Sequence, residues 1–131
     1  MTHRIVNPDA LVKPVGFAHA VVARGTTVHL GGQTALSRDG EIVGRTLTEQ
    51  FDVASDNLLQ ALTAAGAQPD HLVSLLIFVT DVPAYRAARR ELGAAWRQRF
   101  GRHYPAMALL GVQELYDPGA LVELVGTAVI P

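Results

Sequence analysis

The chain contains no cysteine and a single lysine, Lys13, among its 131 residues. The lack of cysteine excludes disulfide scaffolds, thiolate metal sites and cysteine nucleophiles together. No apolar run approaches the ~20 residues that a helix needs to span a bilayer. The first ten residues, MTHRIVNPDA, lack the apolar core of a secretory signal peptide. We therefore expect a cytoplasmic protein without a membrane segment.

Charged residues are scarce and nearly balanced. They make up 18% of the chain, and the formal net charge is −1 at pH 7. Nucleic-acid-binding domains usually carry a clustered basic face, so this composition predicts no nucleic-acid partner. Apolar residues make up 49% of the chain, which is enough for one hydrophobic core. The length is typical of a single domain, which we predict to span residues 1–131.

The sequence carries no signature of a metal site, a nucleotide cofactor or a serine nucleophile. The five histidines show no ligand spacing such as His-x-x-x-His. No G-x-G-x-x-G or Walker-type loop is present. Ser37, Ser55 and Ser74 are predicted to lie in a turn, a helix and a buried strand, without a nucleophile elbow around them. We expect neither a metal nor a cofactor.

One helix has sharply marked ends in the sequence. Thr46 and Glu49 have the spacing of a capping box, in which each side chain satisfies a backbone N–H of the other residue. Apolar residues then follow at three- and four-residue steps and predict one buried stripe. Gly66 supplies a left-handed stop. The pattern predicts a helix over residues 47–65.

The rest of the chain predicts strands around a second helix. The Arg24-Gly25 pair is typical of a hairpin turn and predicts that the first two strands pair with each other. The second helix is predicted from its cap at Asp81 to about Arg99, as one continuous element ended by Gly101. The predicted strands are 19–23, 26–30, 72–79, 106–112 and 121–129.

Two of the predicted strands are apolar on both faces. Residues 72–79 read LVSLLIFV, which is typical of a central strand that is covered on both sides. Residues 121–129 (LVELVGTAV) also have aliphatic side chains in both alternating sets. Two helices on one face of the sheet cannot cover its second face, so that face is expected to meet another subunit. The sequence predicts an α+β homo-oligomer.

Glu123 is the only charged residue in the last predicted strand. Burial of a carboxylate is costly unless it is paired or accepts hydrogen bonds. Burial would also raise its pKa and suit it to general acid or base chemistry. The alternative is an interface carboxylate that pairs with an arginine of a neighbouring subunit. Gly31 and Gly32, which follow a predicted strand, would let the backbone approach a ligand.

Arg89 is predicted to lie along the apolar stripe of the second helix, four residues after Tyr85 and seven before Trp96. An arginine at the border of a buried face often extends its charged end into solvent. The alternative is a guanidinium that points into a cleft and holds a carboxylate through two hydrogen bonds. Three other arginines of this helix are predicted to lie outside the stripe: Arg86, Arg90 and Arg97.

Several short segments, taken in order, resemble the Rid family, also called YjgF or L-PSP, over nearly the whole chain. These segments are 14–20 (PVGFAHA), 30–33 (LGGQ), Gln50 with Asn57-Leu58, 64–67 (AAGA), 79–81 (VTD), 104–106 (YPA) and the strand that carries Glu123. The resemblance implies a chorismate-mutase-like mixed sheet with two helices on one face. It also implies a homotrimer with small-molecule clefts between its subunits.

The resemblance further implies an activity and a set of site residues. Members of the RidA group hydrolyse reactive enamines and imines, such as 2-aminoacrylate, to 2-keto acids and ammonia. Their P-A-R motif supplies an arginine for the substrate carboxylate, and a glutamate on the last strand positions or activates water. The implied catalytic residue here is Glu123. The implied ligand-binding residues are Phe17, Gly32, Arg89, Met107 and Ala108.

This sequence departs from the family pattern at two of these positions. Met107 replaces the P-A-R arginine, and Phe17 replaces a tyrosine, so the implied cleft is more apolar. We hypothesise that Arg89, where many members carry an asparagine that faces the cleft, partly replaces the missing guanidinium. Three functions stay open: a cofactor-free imine or enamine hydrolase, a non-catalytic ligand-binding or regulatory trimer, and, third, an endoribonuclease or translation inhibitor.

Overall fold

All helices lie on one face of a four-stranded sheet in the computed structural model, which describes residues 2–131. The strands are β1 (Arg4–Val6), β2 (Ala20–Val22), β3 (Thr26–His29), β4 (Leu72–Val79), β5 (Ala106–Gly111) and β6 (Val122–Ile130). The helices are α1 (Leu47–Ala64), α2 (Val82–Ala87) and α3 (Arg89–Phe100), with a short 3₁₀ turn at Pro69–His71. The sheet order is β3-β6-β4-β5, and β1 and β2 form a separate pair. The predicted α+β class is confirmed.

Helix α1 begins and ends where its sequence signals predict. The Glu49 N–H donates to the Thr46 hydroxyl at 3.1 Å, and the Thr46 N–H donates to the Glu49 carboxylate at 3.0 Å. Hydrogen bonds from Thr46 and from the Arg45 N–H to the Glu49 carboxylate lower its pKa, because they favour its charged form. Gly66 follows the helix with a φ of 85°. The helix ends one residue before the predicted boundary.

The second helix is divided, and the prediction of one continuous helix is wrong. Asp81 caps α2 as predicted, because its carboxylate accepts from the Ala84 N–H at 3.0 Å, and Gly101 ends α3 with a φ of 63°. Between them, Ala88 leaves the helical region with φ −96° and ψ 7°. No glycine or proline marks this position, so tertiary packing rather than a local breaker divides the helix.

The predicted hairpin between the first two strands is also wrong. Strand β2 pairs antiparallel with β1, whereas β3 pairs antiparallel with β6. Gly25 has a φ of 144°, and a β-carbon at this position would overlap the backbone carbonyl of Ile130. This glycine therefore permits close approach of the chain to the end of β6, and it does not form a two-residue turn. The sequence interpretation missed β1, a strand of three residues.

The hydrophobic core lies between the sheet and helices α1 and α3. Leu58 of α1, Leu75 of β4 and Leu124 of β6 are fully buried at its centre. An ion pair joins the two helices, because the Arg99 guanidinium donates to Asp56 at 2.7 Å and to Asp52 at 3.0 Å. The two carboxylates raise the pKa of Arg99. The predicted apolar stripes of both helices face this core.

Within residues 2–131 no helix covers the second face of the sheet, as the sequence predicts. Strand β4 occupies the expected central position, and Leu76 lies opposite Val125 on β6 and Ala108 on β5. Leu76 is 36% exposed and Leu110 is 42% exposed. We call this surface the open face of the sheet. No helix of residues 2–131 is long and apolar enough to cross a membrane.

Replacing Ser55 by alanine is expected to raise the free energy of unfolding by about 1 kcal/mol, because an unsatisfied buried hydroxyl is removed. Within residues 2–131, the Ser55 hydroxyl is the one buried side-chain polar atom without a hydrogen-bond partner. Urea denaturation measures the change. Ser37→Ala is the control, because the Ser37 hydroxyl, unlike that of Ser55, has a hydrogen-bond partner. It accepts from the Glu41 N–H at 3.2 Å. A Ser55→Ala protein less stable than wild type would contradict the prediction.

Candidate functional site

The side chain of Glu123 lies against Gly32. The segment that carries Gly32 is joined to β6 by a pair of hydrogen bonds between Gln33 and Leu124, at 2.8 and 2.9 Å. This pairing places Gly32 beside the open-face residue Glu123, and a β-carbon at position 32 would overlap the carboxylate. The φ of Gly32 is not positive, so its backbone conformation does not require glycine. Glycine is required here because the Glu123 carboxylate occupies the space of a side chain. Two residues of the implied site therefore come together.

Asn57 holds the segment that follows Gly32. Its side-chain amide donates to the carbonyls of Thr34 at 3.0 Å and Leu36 at 2.9 Å. The Thr34 hydroxyl in turn donates to the Asp117 carboxylate at 3.1 Å. Asn57 thus fixes the loop from helix α1, which explains its place in the family-like pattern of the sequence.

Gln50 holds the chain just before β6. Its amide nitrogen donates to the carbonyls of Gly44 at 3.2 Å and Gly119 at 3.0 Å, and its oxygen accepts from the Leu121 N–H at 2.8 Å. The side chain is 2% exposed, and all three bonds satisfy it in the core. Gln50 therefore positions the strand that presents Glu123.

The Glu123 carboxylate has no ion pair within residues 2–131. The residue is half-buried, and its cross-strand neighbour on β4 is Phe78. A carboxylate beside apolar groups, with no cation to neutralise it, is available to accept a proton. The alternative from the sequence, an ion pair with an arginine of a neighbouring subunit, is equally compatible with this position on the open face.

A second group of implied site residues lies at the edge strand β5. Phe17, Met107 and Ala108 line a cavity of about 150 Å³. The segment that carries Phe17 reaches β5 because the Ala18 N–H donates to the Pro105 carbonyl at 3.0 Å. The Phe17 ring packs edge-on against another aromatic ring, that of His19. The wall at this point is apolar, as the two departures from the family pattern predict.

Arg89 lines an adjoining cavity of about 470 Å³ that also contains Tyr85 and Met107. The side chain of Arg89 is exposed and borders the cavity, so it is not part of the buried stripe. Burial raises the pKa of the Tyr85 phenol. Arg97 is exposed, as expected for an arginine outside the apolar stripe, and it borders the same cavity.

The sheet separates Met107 from Glu123 within one chain. Met107 lies opposite Leu75 on the helix side of the sheet, whereas Glu123 lies opposite Phe78 on the open face. The structure thus unites Gly32 with Glu123, and Phe17 with Met107 and Ala108. It does not bring Met107 and Glu123 into one pocket of a single chain.

A further cavity of about 410 Å³ lies near the start of the chain, lined in part by His3, Asp70 and His103. The Thr2 hydroxyl donates to the Asp70 carboxylate and lowers its pKa. The His3 ring forms a hydrogen bond through Nε2 with the backbone carbonyl of Val129, and the His103 ring forms one through Nε2 with that of Leu72. No group of three histidine, aspartate or glutamate side chains in the described chain is arranged to hold a metal ion.

Comparisons with known proteins agree on one family. The family model described as Endoribonuclease L-PSP matches residues 8–130. RutC family protein UK114 of Drosophila melanogaster is 26% identical over 125 residues, which cover 95% of this chain and 87% of that protein. The mitochondrial protein mmf2 of Schizosaccharomyces pombe is 35% identical over 66 residues, about half of each chain.

The fold comparison is equally clear. The crystal structure of YyfB from Yersinia pestis, a protein of unknown function of the conserved Rid family, superposes with a TM-score of 0.88. The two chains are 34% identical, with 99% of this chain and 100% of that chain covered. These matches define an α+β protein of the YjgF type. The chain belongs to the Rid family, also called YjgF or L-PSP.

Proposed function

We propose that the protein is a cofactor-free hydrolase of small imines or enamines, with Glu123 as its acid–base residue. The observation that carries the proposal is the Glu123 carboxylate, which lies against Gly32 on the open face without a neutralising cation. Membership in the Rid family supports the reaction class. The chemistry needs a base that activates water and later returns the proton.

The proposed active site is shared between subunits of a homotrimer. Phe17 and Met107 line one cavity, with Met107 on the helix side of the sheet, whereas the Gly32–Glu123 group lies on the open face. Association through the open face would cover the exposed side chains of Leu76 and Leu110, and would bring a second chain to the edge of β5. The two groups would then face each other across one cleft.

The proposed reaction balances without a cofactor. Glu123 accepts a proton from water while the water oxygen bonds to the imine carbon, and the C=N electron pair moves to nitrogen, which takes up this proton from Glu123. In the resulting carbinolamine, Glu123 accepts the hydroxyl proton and passes it to nitrogen, the O–H electron pair forms the C=O bond, and the C–N bond breaks to release ammonia. The products are a carbonyl compound and ammonia. General acid–base catalysis of this kind contributes about 10²–10⁴-fold to a rate.

Arg89 is proposed to bind the substrate carboxylate in place of the missing motif arginine. Its guanidinium borders the cavity that Met107 also lines, and it has no ion pair within the described chain. Co-crystallisation with a 2-keto acid tests this role. A carboxylate that contacts Arg89 supports it, and a carboxylate bound far from Arg89 refutes it.

Replacing Met107 by arginine is expected to raise kcat/KM for 2-iminopropionate by about tenfold, because a charged hydrogen bond to the carboxylate is restored. The wild-type protein is expected to show measurable hydrolysis in the same coupled assay. Met107→Leu is the matched control, since it keeps the apolar wall, and it is expected to behave as wild type. Activity that appears only in the Met107→Arg protein would contradict the proposed hydrolase.

The second candidate is a non-catalytic ligand-binding or regulatory trimer. The apolar side chains of Phe17 and Met107 favour it, because neither supplies the polar contact expected at its position. The same assay separates the two functions. The family description names an endoribonuclease. That activity ranks third here, because the net charge of −1 gives no support to RNA binding.

A further inference from the structure

One side of helix α3 presents two arginines separated by a glycine. Arg89, Gly93 and Arg97 follow each other at four-residue steps, so they form a row along the helix, and all three line the 470 Å³ cavity. Glycine is disfavoured in a helix interior, since it loses more conformational freedom than alanine. Here a β-carbon would lie 3.3 Å from Arg97 Nη1. The missing side chain therefore leaves room for the guanidinium and for the cavity.

Trp96 and Tyr104 form an aromatic floor of this cavity, and their ring centroids lie 6.1 Å apart. Phe100, which stacks on Trp96 at 4.1 Å, lies outside the lining of the cavity. The Trp96 indole N–H donates to the His103 carbonyl at 3.1 Å, so the polar atom of the ring is already satisfied. The size lies within the range of about 300–1,000 Å³ that is typical of small-molecule sites. Such a floor favours a flat apolar group over a polar one.

The two arginines at the rim have no acidic partner in residues 2–131, in contrast to Arg99, which pairs with Asp52 and Asp56. Two unpaired guanidinium groups beside an apolar cavity attract an anion, and a planar carboxylate matches the guanidinium fork. The combination therefore selects ligands that have an apolar body and a negative end.

We propose that this cavity binds arylalkyl monocarboxylates, with the ring on Trp96 and the carboxylate between Arg89 and Arg97. Because Met107 lines both this cavity and the one beside Phe17, a bound ligand would extend toward the proposed reaction centre. The further inference that the substrates are aryl-substituted imino acids rests on the proposed function. The binding of arylalkyl monocarboxylates does not depend on the proposed function.

Trp96 is the single tryptophan of the chain, so its fluorescence reports directly on the cavity. The test titrates the full-length protein with 3-phenylpropionate, with 3-phenylpropan-1-ol, which lacks the charge, and with propionate, which lacks the ring. The expected result is a saturable change with 3-phenylpropionate and a Kd about tenfold or more higher for both controls. Equal affinity for the alcohol, or no response to 3-phenylpropionate, would overturn the inference.

Two variants locate the ligand within the cavity. Arg97→Gln removes one guanidinium and Gly93→Leu fills the space beside it, and each is expected to raise the Kd for 3-phenylpropionate about tenfold. Arg90→Gln is the matched control, since Arg90 is an exposed arginine of the same helix that does not line the cavity. If Arg97→Gln, a surface change that the fold tolerates, binds as wild type does, the proposed carboxylate contact is wrong.

The binding test and the hydrolysis test have independent outcomes, so the failure of one proposal can be distinguished from the failure of the other. 3-Phenylpropionate has no imine or carbonyl group beside its carboxylate, so its binding needs no reaction. Binding without hydrolysis of any imine would refute the proposed hydrolase and leave the site in place. Hydrolysis of 2-iminopropionate without binding of 3-phenylpropionate would refute the site and leave the hydrolase in place.

Discussion

Replacing Glu123 by glutamine is expected to lower kcat/KM for 2-iminopropionate by about 100-fold or more, because the proton acceptor for water is lost. Glutamine has nearly the same shape as glutamate, so it fits the space that Gly32 leaves open. The variant therefore removes the charge and keeps the packing on the open face. A coupled assay for the carbonyl product measures the change.

The control for this variant is Glu114→Gln, which neutralises an exposed glutamate in the loop before β6. It is expected to retain wild-type kcat/KM. Circular dichroism and thermal unfolding of both variants separate a chemical effect from a loss of fold. If the Glu123→Gln protein kept its activity within about twofold, Glu123 would not be the acid–base residue, and a structural ion pair with a neighbouring subunit would be the better interpretation.

Replacing Leu76 by aspartate is expected to convert the proposed trimer into monomers at micromolar concentration. Leu76 lies on the central strand β4 in the middle of the open face, between Val125 and Ala108. Association would bury the new carboxylate without a partner, at a cost of several kcal/mol per chain. The affinity between subunits is expected to fall about 100-fold or more. Sedimentation velocity measures the mass of both proteins.

Val43→Asp provides the matched control, because Val43 is 44% exposed on a loop outside the sheet. It is expected to keep the mass of the proposed trimer, about 42 kDa, which is three copies of the 14.0 kDa chain. A Leu76→Asp protein that stayed trimeric would show that the subunits do not meet through the open face. The proposed shared cleft would then lose its structural basis.

The sequence predicts those elements whose ends carry local chemical signals. Helix α1 is predicted to within one residue, because the Thr46–Glu49 capping box and Gly66 act through neighbouring backbone groups. The central position of β4 follows from its continuous aliphatic run. The open face is predicted for a related reason, since two helices cannot cover both sides of a sheet.

The errors lie where distant contacts decide the structure. Gly25 has the local signature of a hairpin, yet its glycine is required by the backbone of Ile130, more than a hundred residues away in the sequence. The break at Ala88 has no local signal, and it places Arg89 at the start of a new helix. A pattern read along one element does not contain this information.

The candidate site shows the same division. Glu123 is noticeable in the sequence as the one charge in an apolar strand, but its contact with Gly32 depends on the pairing of Gln33 with Leu124. Arg97 lies outside the apolar stripe, so the stripe alone did not indicate that Arg97 borders the cavity. Its four-residue spacing from Gly93 is a signal that the sequence does contain.

The most direct test of the shared cleft is a cross-link between chains. The protein has no cysteine, so a Met107→Cys, Glu123→Cys double variant carries two unique thiols on opposite sides of its own sheet. A short bismaleimide is predicted to join position 107 of one chain to position 123 of the next and to yield covalent trimers on a denaturing gel, whereas neither single variant does so. Monomers alone from the double variant, under conditions in which both thiols react, would contradict the account.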